Sequence, residues 1–250
     1  MRPVRRNTSP VSQDYSDYTD AKTELISRIG GGFYRGIHLA SYCSYCERKI
    51  DTSLAVEHVE PKGGVHGQHD LQGRWENFLL ACVNCNSTKG DKQVVFSALY
   101  FPDRDNTFYA FEYLADGNIQ PSRVGDQVAF STLELTGLDK AQRQTLDTKG
   151  RLIAEDRSSQ RMQVWALATF SLEDFNSSPN NTPLKNSIVK NAVLAGFFSV
   201  WMTVFRSVPE MTNRFIDAFS GTRESGCFDA DANPITPAPN PDSLMDGGKK

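Results

Sequence analysis

The chain has 250 residues, of which 39% are hydrophobic and 23% charged, the composition of an ordinary globular protein with one large or two small domains. Its formal net charge of -3 excludes a protein whose whole surface attracts nucleic acid, so any basic groove must be local. No apolar segment follows the basic N-terminus, which argues against a signal peptide and predicts a cytoplasmic protein without a membrane partner.

The first segment of the chain is polar and leads into a helix. Residues 1–20 include two prolines and few apolar side chains, so we predict a flexible N-terminus. A helix capped by Thr19 or Asp20 is predicted from about Ala21. The three glycines at 30–32 end it.

Four of the five cysteines form two C-x-x-C pairs, Cys43 with Cys46 and Cys82 with Cys85. Each pair presents two sulfurs on one tight turn, and two such turns complete a tetrahedron around a zinc ion. We therefore predict a structural Zn²⁺ bound by these four residues. The pattern fits a reducing compartment better than a disulfide scaffold. Cys227 is left over and is predicted to be a semi-buried thiol.

A carboxylate, an imidazole and two amides lie between and directly after the cysteine pairs, at Glu57, His58, Asn77 and Asn86. An imidazole with a pKa of about 6.5 activates water near neutral pH. Carboxylate and amide oxygens hold a hard cation such as Mg²⁺, which stabilises charge on a phosphate. The set therefore predicts phosphodiester hydrolysis. Neighbouring residues of a regular strand face opposite sides, so Glu57 and His58 reach one cation only if the strand bulges or ends there.

Five basic side chains near these residues are weaker candidates for contacts to phosphate or metal. Lys62 and Lys89 are candidate phosphate contacts, although lone lysines often only face water. His66 and His69 lie in a glycine-rich loop, where we expect them to be solvated or near nucleic acid. His38 precedes the first cysteine pair, and we favour a surface or packing role over a further metal ligand.

Beyond residue 92 the pattern is first strand-like and then helical. The predicted strands are 94–100, 107–114 and 127–135, with a hairpin turn at 116–118. The predicted helices lie within 139–170, at 184–206 and at about 211–219. The longest apolar run, 192–205, is shorter than the roughly 18 residues that span a bilayer, so a buried helix is predicted.

These elements predict an α+β fold with a zinc-stapled module in residues 21–135. A helical region follows in residues 136–228 and forms a C-terminal bundle. The boundary between module and bundle is soft, and the two share a core in one interpretation. Residues 229–250 are rich in proline and glycine, and we predict a disordered tail.

In order, His58, Asn77 and Asn86 resemble the three-part signature of the HNH endonuclease superfamily, in its variant with Asn in third place. The resemblance covers about residues 40–92 and implies a ββα-metal module. It implies that His58 is the general base and that Glu57 and Asn86 bind a catalytic Mg²⁺ or Mn²⁺. It also implies that Asn77 steadies the loop that orients the base.

A narrower resemblance is to the HNH subunit of the Septu anti-phage system. The similar segments are residues 45–47, 57–62, 75–77, 85–91, 219–222 and 227–228. This resemblance implies a defence nuclease acting on DNA, or on structured RNA such as tRNA. It also implies an ABC-type ATPase as the partner subunit, sometimes together with a retron.

Two alternatives stay open at this point. One is a non-catalytic zinc module that binds nucleic acid or protein, for which a base beside a carboxylate is not needed. The other is an interaction scaffold dominated by residues 139–228, in which the nuclease is idle until a partner arrives.

Overall fold

The computed structural model describes residues 1–140 and 156–250, together with the backbone of two short strands at 145–146 and 152–153. In this part of the chain the α-helices are α1 (Lys22–Leu25), α2 (Val83–Lys89), α3 (Thr107–Ala110), α4 (Gln127–Thr136), α5 (Arg157–Ser177), α6 (Thr182–Ala195), α7 (Phe198–Val204) and α8 (Pro209–Ala218). The strands are β1 (Gly31–Tyr34), β2 (Ile37–Ser41), β3 (Ala55–His58), β4 (Phe78–Ala81), β5 (Phe111–Tyr113), β6 (Ile119–Pro121), β7 (Thr145–Leu146) and β8 (Leu152–Ile153). Short 3-10 turns lie at Tyr18–Ala21, His69–Leu71, Trp75–Asn77 and Phe96–Ala98, and a π-helical turn lies at Ile26–Gly30.

The described strands pair as four antiparallel two-stranded units, β1 with β2, β3 with β4, β5 with β6 and β7 with β8. In the second unit His58 lies opposite Phe78, and α2 begins directly after Cys82. This β3–β4–α2 unit and the helical C-terminal part confirm the predicted α+β fold. The predicted hairpin turn at 116–118 is confirmed as well, since it joins β5 to β6.

Buried apolar side chains from the predicted module and from the helical region form one continuous cluster. Tyr42, beside the first cysteine pair, stacks on Phe219 with ring centroids 4.9 Å apart. Its hydroxyl donates to the Val193 carbonyl at 2.6 Å. The described part of the chain therefore has a shared core rather than two separate ones.

Glu47 ties the first cysteine pair to the helices. Its buried carboxylate accepts hydrogen bonds from the Ser199 amide at 2.7 Å, the Ser199 hydroxyl at 2.6 Å and the Tyr113 hydroxyl at 3.0 Å. Its carbonyl accepts from the Phe197 amide at 2.9 Å. A buried carboxylate needs such donors to offset the loss of its hydration. The residue after Cys46 thus fixes the first turn of α7.

The single helix predicted over 184–206 is wrong, because the structure has two helices, α6 and α7, separated at Gly196 and Phe197. Gly196 has a φ of +74°, a conformation that favours glycine. A Cβ at this position would lie 2.9 Å from the Glu47 carbonyl oxygen. The close approach of Glu47 breaks the helix here. Among the described helices, none is both long and apolar enough to cross a bilayer.

The strand predicted over 127–135 is also wrong, since these residues form helix α4. Asp126 caps the helix by accepting a hydrogen bond from the Ala129 amide at 3.0 Å. The buried face includes Ala129, Thr132, Leu133 and Thr136, which are spaced as one face of a helix requires. Two of these are threonines, so counting only apolar residues hides the helical period.

Two further predicted strands are shorter or absent. Residues 94–100 contain only the 3-10 turn Phe96–Ala98. The first four residues of 107–114 form α3, because the Asn106 side chain accepts from the Tyr109 amide at 3.2 Å and starts a helical turn.

The helix predicted within 139–170 is present from Arg157 onward as α5, whereas residues 141–144, 147–151 and 154–155 lie outside the described part of the chain. Leu146 and residues 152–153 belong to the β7–β8 pair, and α5 begins at Arg157. Asp156 starts α5 by accepting from the Ser159 amide at 2.8 Å. On α5 the side chains of Leu167 and Phe170 are 39% and 61% exposed, so they lie outside the buried stripe.

The N-terminal segment packs against the body instead of being free. The Arg2 guanidinium donates to the carbonyls of Ile29 and Ser220. Arg6 is 3% exposed, pairs with Asp103 at 2.8 Å and donates to the carbonyl of Phe78. Buried carbonyls and a carboxylate far away in sequence hold these arginines, which a compositional argument does not detect. The first cap is corrected too, since the side chain of Asp17 accepts from the Thr19 amide.

Residues 229–250, predicted to be disordered, also contact the body in the structure. The Ile235 carbonyl accepts a hydrogen bond from the Asn106 side chain at 3.0 Å. The backbone amide of Ile235 donates to the Cys227 carbonyl at 2.8 Å. Asp242 pairs with Arg5 at 2.8 Å. Backbone hydrogen bonds hold this proline-rich segment where apolar burial is small.

Gly196→Ala should destabilise the fold more than Gly36→Ala. Both glycines have a φ of +74°, but the space around Gly36 is open. Gly36→Ala therefore measures the conformational term, about 1 kcal/mol. Gly196→Ala should lower the free energy of unfolding by about 1–3 kcal/mol more, because its Cβ meets the Glu47 carbonyl. Equal losses in denaturant unfolding would show that this contact does not limit the helix break.

Candidate active site and metal centre

Two chain segments bring the four predicted metal ligands together. Cys43 and Cys46 lie in the turn after β2, and Cys82 and Cys85 lie at the start of α2. All four are buried, and their sulfurs lie within 4.8 Å of one another. The Cys46 and Cys82 sulfurs are 3.8 Å apart. A tetrahedron with Zn–S bonds of about 2.3 Å has edges of about 3.8 Å, so the cluster fits zinc.

Burial raises the pKa of the Cys43 thiol above its usual value. A divalent cation bound to the four sulfurs removes this penalty because it stabilises their thiolate forms.

Arg157 is a contact to the cluster that the sequence did not predict. Its Nη1 donates to the Cys85 sulfur at 3.0 Å, and its Nη2 donates to the Gly137 carbonyl. The residue is 9% exposed and lies on α5, 72 residues from Cys85. A positive charge beside sulfur favours the thiolate. The spacing of the cysteines gives no sign of this partner, because it comes from the helical region.

Five of the predicted catalytic and phosphate-binding residues line one cleft of about 480 Å³. They are Glu57, His58, Lys62, Asn86 and Lys89, and Tyr18 forms part of the same lining. Strand β3 supplies Glu57 and His58 and ends at His58. Both residues pair in regular register with β4, Glu57 with Leu79 and His58 with Phe78, and both nevertheless border this cleft.

The His58 ring is held by a hydrogen bond and by two aromatic rings. Its Nε2 lies 2.9 Å from the Gln72 carbonyl oxygen. Because a carbonyl only accepts, Nε2 carries a proton, and Nδ1 is the unprotonated nitrogen of the neutral ring. The ring centroids of Tyr18 and Phe78 lie at 4.7 Å and 5.3 Å, both in edge-on arrangements.

Burial lowers the pKa of His58 below its usual value. The hydrogen bond to Gln72 opposes this shift, and the positive charges of Lys62 and Lys89 add to it. The neutral, proton-accepting form of the imidazole is therefore favoured near pH 7.

Glu57 is paired inside the protein. Its Oε1 lies 3.0 Å from the Lys89 ammonium and 3.4 Å from the Tyr45 hydroxyl, and the residue is 3% exposed. Burial raises the pKa of Glu57, and Lys89 opposes that shift. Lys89 is 1% exposed and also donates to the His58 carbonyl at 2.8 Å. Lys89 is therefore an internal partner of Glu57, which leaves Lys62 as the candidate phosphate contact.

The cleft has oxygen donors of the type that a hard cation prefers. Asn86 is half-buried on α2, and no described residue hydrogen-bonds its side-chain amide. The second oxygen of Glu57, Oε2, likewise has no hydrogen-bond partner among the described residues. One carboxylate and one amide oxygen with open positions for water and phosphate suit Mg²⁺ or Mn²⁺.

Asn77 lies outside the cleft lining and holds the loop after His58. Its Oδ1 accepts from the Glu60 amide at 2.7 Å, and its Nδ2 donates to the carbonyls of Glu60 and Leu71 at 3.0 Å and 3.3 Å. The two loop histidines, His66 and His69, are exposed and do not line the cleft.

Residues 43–92 match the sequence model of a family described as HNH endonuclease. Those residues are an HNH endonuclease domain. The matched range contains both cysteine pairs, β3, β4 and α2, and it ends before the helical region. The prediction of a nuclease is thereby confirmed.

A named relative extends the match beyond the HNH domain. This chain is 28% identical over 158 residues to the retron Vc95 putative HNH endonuclease of Vibrio cholerae serotype O1 biovar El Tor. The matched region is 56% of this chain and 77% of that protein. The similarity therefore includes residues outside the family match.

Cys82→Ser should release the metal and destabilise the protein, because zinc binding at such a site is part of folding. Elemental analysis of purified wild type should give one zinc per chain, and the variant should retain little zinc and melt at a lower temperature. The matched control is Cys227→Ser, which changes a buried thiol outside the cluster. A wild type without zinc, or a Cys82→Ser variant with unchanged melting, contradicts the prediction.

Proposed function

We propose that this chain is a metal-dependent endonuclease that hydrolyses phosphodiester bonds in DNA or in structured RNA such as tRNA. The observation that carries the proposal is the placement of His58, with Nε2 bound to the Gln72 carbonyl, in one cleft with Glu57 and Asn86. A pure binding module has no need for a neutral imidazole beside a buried carboxylate.

In the proposed reaction His58 is the general base. Its Nδ1 takes a proton from a water molecule, and the oxygen of that water attacks the phosphorus while one P–O ester bond breaks. The leaving sugar oxygen then takes a proton from solvent. The Gln72 carbonyl keeps the proton on Nε2 and stabilises the imidazolium that forms. The shifted pKa of His58 keeps the ring neutral before the reaction, so it is ready to accept a proton.

Glu57 and Asn86 are the proposed ligands of the catalytic Mg²⁺ or Mn²⁺. When bound, the cation stabilises the negative charge that develops on the phosphate and the leaving oxygen. Lys89 pairs with Oε1 of Glu57 and favours its ionised form, which opposes the effect of burial on the pKa of this carboxyl. Asn77 holds the loop that carries the carbonyl partner of His58.

Local positive charge supports a nucleic-acid substrate. Lys22, Lys62 and Lys89 line the cleft together with two carboxylates, Glu57 and Asp91, although the chain as a whole has a net charge of -3. Phosphate contacts of this kind position a backbone without reading its sequence.

We also propose a role in anti-phage defence beside an ABC-type ATPase. The retron name of the Vibrio relative and the resemblance to Septu proteins support the defence role. The exposed Leu167 and Phe170 on α5 support a partner surface in the helical region, because large apolar side chains are usually covered.

His58→Ala should lower the cleavage rate by about 10²- to 10⁴-fold, because it removes the group that accepts the proton of water. Rates are measured at saturating Mg²⁺ or Mn²⁺ on supercoiled plasmid and on tRNA, with zinc content and folding checked. Nucleic-acid binding should persist. His66→Ala and His69→Ala are the controls, since both side chains are exposed in the loop.

The same assay tests the cation ligands. Glu57→Gln should weaken the apparent affinity for Mg²⁺, and excess cation should restore part of the rate. If His58→Ala cuts like wild type while a loop histidine variant is dead, the base is misassigned. If wild type binds nucleic acid and cuts neither substrate with any cation, the chain is a binding module.

A Leu167→Asp and Phe170→Asp double variant should lose association with the proposed ABC-type ATPase partner, because charge on an apolar contact surface opposes burial. Association is measured by co-purification of the two full-length proteins and by the dissociation constant of their complex. The matched control is Ile37→Asp, which alters a side chain that is 64% exposed on β2. Full association of the double variant would place the partner surface elsewhere.

A further inference from the structure

Tyr18 forms part of the cleft wall although it lies outside the residues that match the HNH family. It begins the 3-10 turn that Asp17 caps. Upstream, the Tyr15 amide donates to the Gly73 carbonyl at 2.8 Å, which fixes this segment against the HNH domain. The N-terminal segment therefore contributes a side chain to the active site.

Two groups of the proposed mechanism contact the Tyr18 ring. The Lys62 ammonium lies 3.7 Å from the ring centroid, the shortest cation–ring distance among the described residues. The His58 ring meets Tyr18 edge-on at 4.7 Å, with an interplanar angle of 73°. Phe78 borders the same imidazole at 5.3 Å. Tyr18 thus links the candidate base to the candidate phosphate contact.

We propose that Tyr18 is a positioning residue of the nuclease, whose ring holds the Lys62 ammonium on the cleft wall and restrains the His58 imidazole. The proposal rests on the function proposed above. A lysine side chain has four flexible bonds, so a free ammonium samples many positions. An aromatic face attracts a cation and limits that freedom.

The contacts use the ring of Tyr18 and not its hydroxyl. No described residue hydrogen-bonds the hydroxyl, so Tyr18→Phe keeps both contacts, whereas Tyr18→Leu removes the aromatic face. A cation–ring contact of this kind corresponds to a change of roughly 2- to 30-fold in rate. Tyr18→Leu should lower kcat/KM by that amount, and Tyr18→Phe should cut like wild type.

The kinetic test separates positioning from simple packing. Lys62→Met is combined with Tyr18→Leu in a double-mutant cycle on the full chain. If Tyr18 acts through Lys62, the combined loss in kcat/KM is smaller than the product of the single losses. Tyr34→Leu is the matched control, because the Tyr34 ring faces Lys190 at 5.9 Å outside the cleft lining. A full product of losses, or equal losses in Tyr18→Phe and Tyr18→Leu, overturns the proposal.

A second measurement does not depend on catalysis or on a folded Tyr18→Leu variant. Lysines of wild type are labelled with ¹³C-methyl groups, and the Lys62 resonance is identified with Lys62→Arg. An ammonium 3.7 Å over an aromatic face shifts its methyl resonance upfield, and Tyr18→Phe should retain that shift. A Lys62 resonance at the solvent-exposed position in wild type overturns the proposal.

The two measurements distinguish the possible failures. A wild type that cuts, with unshifted Lys62 and full activity in Tyr18→Leu, removes the role of Tyr18 and leaves the nuclease assignment intact. A wild type with shifted Lys62 that cuts neither plasmid nor tRNA removes the proposed function, and the catalytic role of Tyr18 with it.

Discussion

Four sulfurs gathered in one buried volume are the constraint on which the rest of the structure depends. The cluster joins Cys46 to Cys82 across 36 residues, and the intervening chain lies within the HNH domain and holds the proposed base. Each half of the cluster is also tied to the helices. Glu47 holds the start of α7, and Arg157 of α5 donates to Cys85. Helices α7 and α5 are therefore each joined by a hydrogen bond to one of the cysteine pairs or to the residue beside it.

Helix α2 connects the cluster to the chemistry of the cleft. Cys82 and Cys85 are three residues apart, and so are Asn86 and Lys89. Cys82 lies directly before α2, and Cys85 and Lys89 form the buried face of the helix, with the half-buried Asn86 beside it. Lys89 pairs with Glu57 on β3 at 3.0 Å, and β3 is held beside α2 through its pairing with β4, which leads directly into Cys82. One short helix thus carries both a ligand of the zinc cluster, Cys85, and the partner of the Glu57 carboxylate, Lys89.

The sequence predicts well what depends on local spacing. The C-x-x-C pattern predicts the four cysteines that the structure brings together. Glu57 and Asn86, chosen for their oxygen atoms, line one cleft, and their role as cation ligands stays a prediction. Sequence reasoning fails where a partner is distant or polar. Lys89 looked like a phosphate contact because its buried carboxylate partner lies 32 residues earlier in the chain. Tyr18 fell in a polar segment that composition predicts as flexible. Helix α4 was hidden because threonines such as Thr132 occupy its buried face.

The structure gives a physical account of how an amide outside the cleft can act on the proposed base. Asn77 donates to the Leu71 carbonyl at 3.3 Å and holds Glu60 by two further hydrogen bonds. The next carbonyl in the chain, that of Gln72, accepts the proton of His58 Nε2. A loop fixed at Leu71 also fixes the direction of the neighbouring carbonyl, and that carbonyl fixes which imidazole nitrogen is free. Because a buried amide forms all three bonds at once, a shorter or apolar side chain at position 77 leaves loop carbonyls without donors. The orientation of the base therefore depends on a side chain that need not touch the substrate.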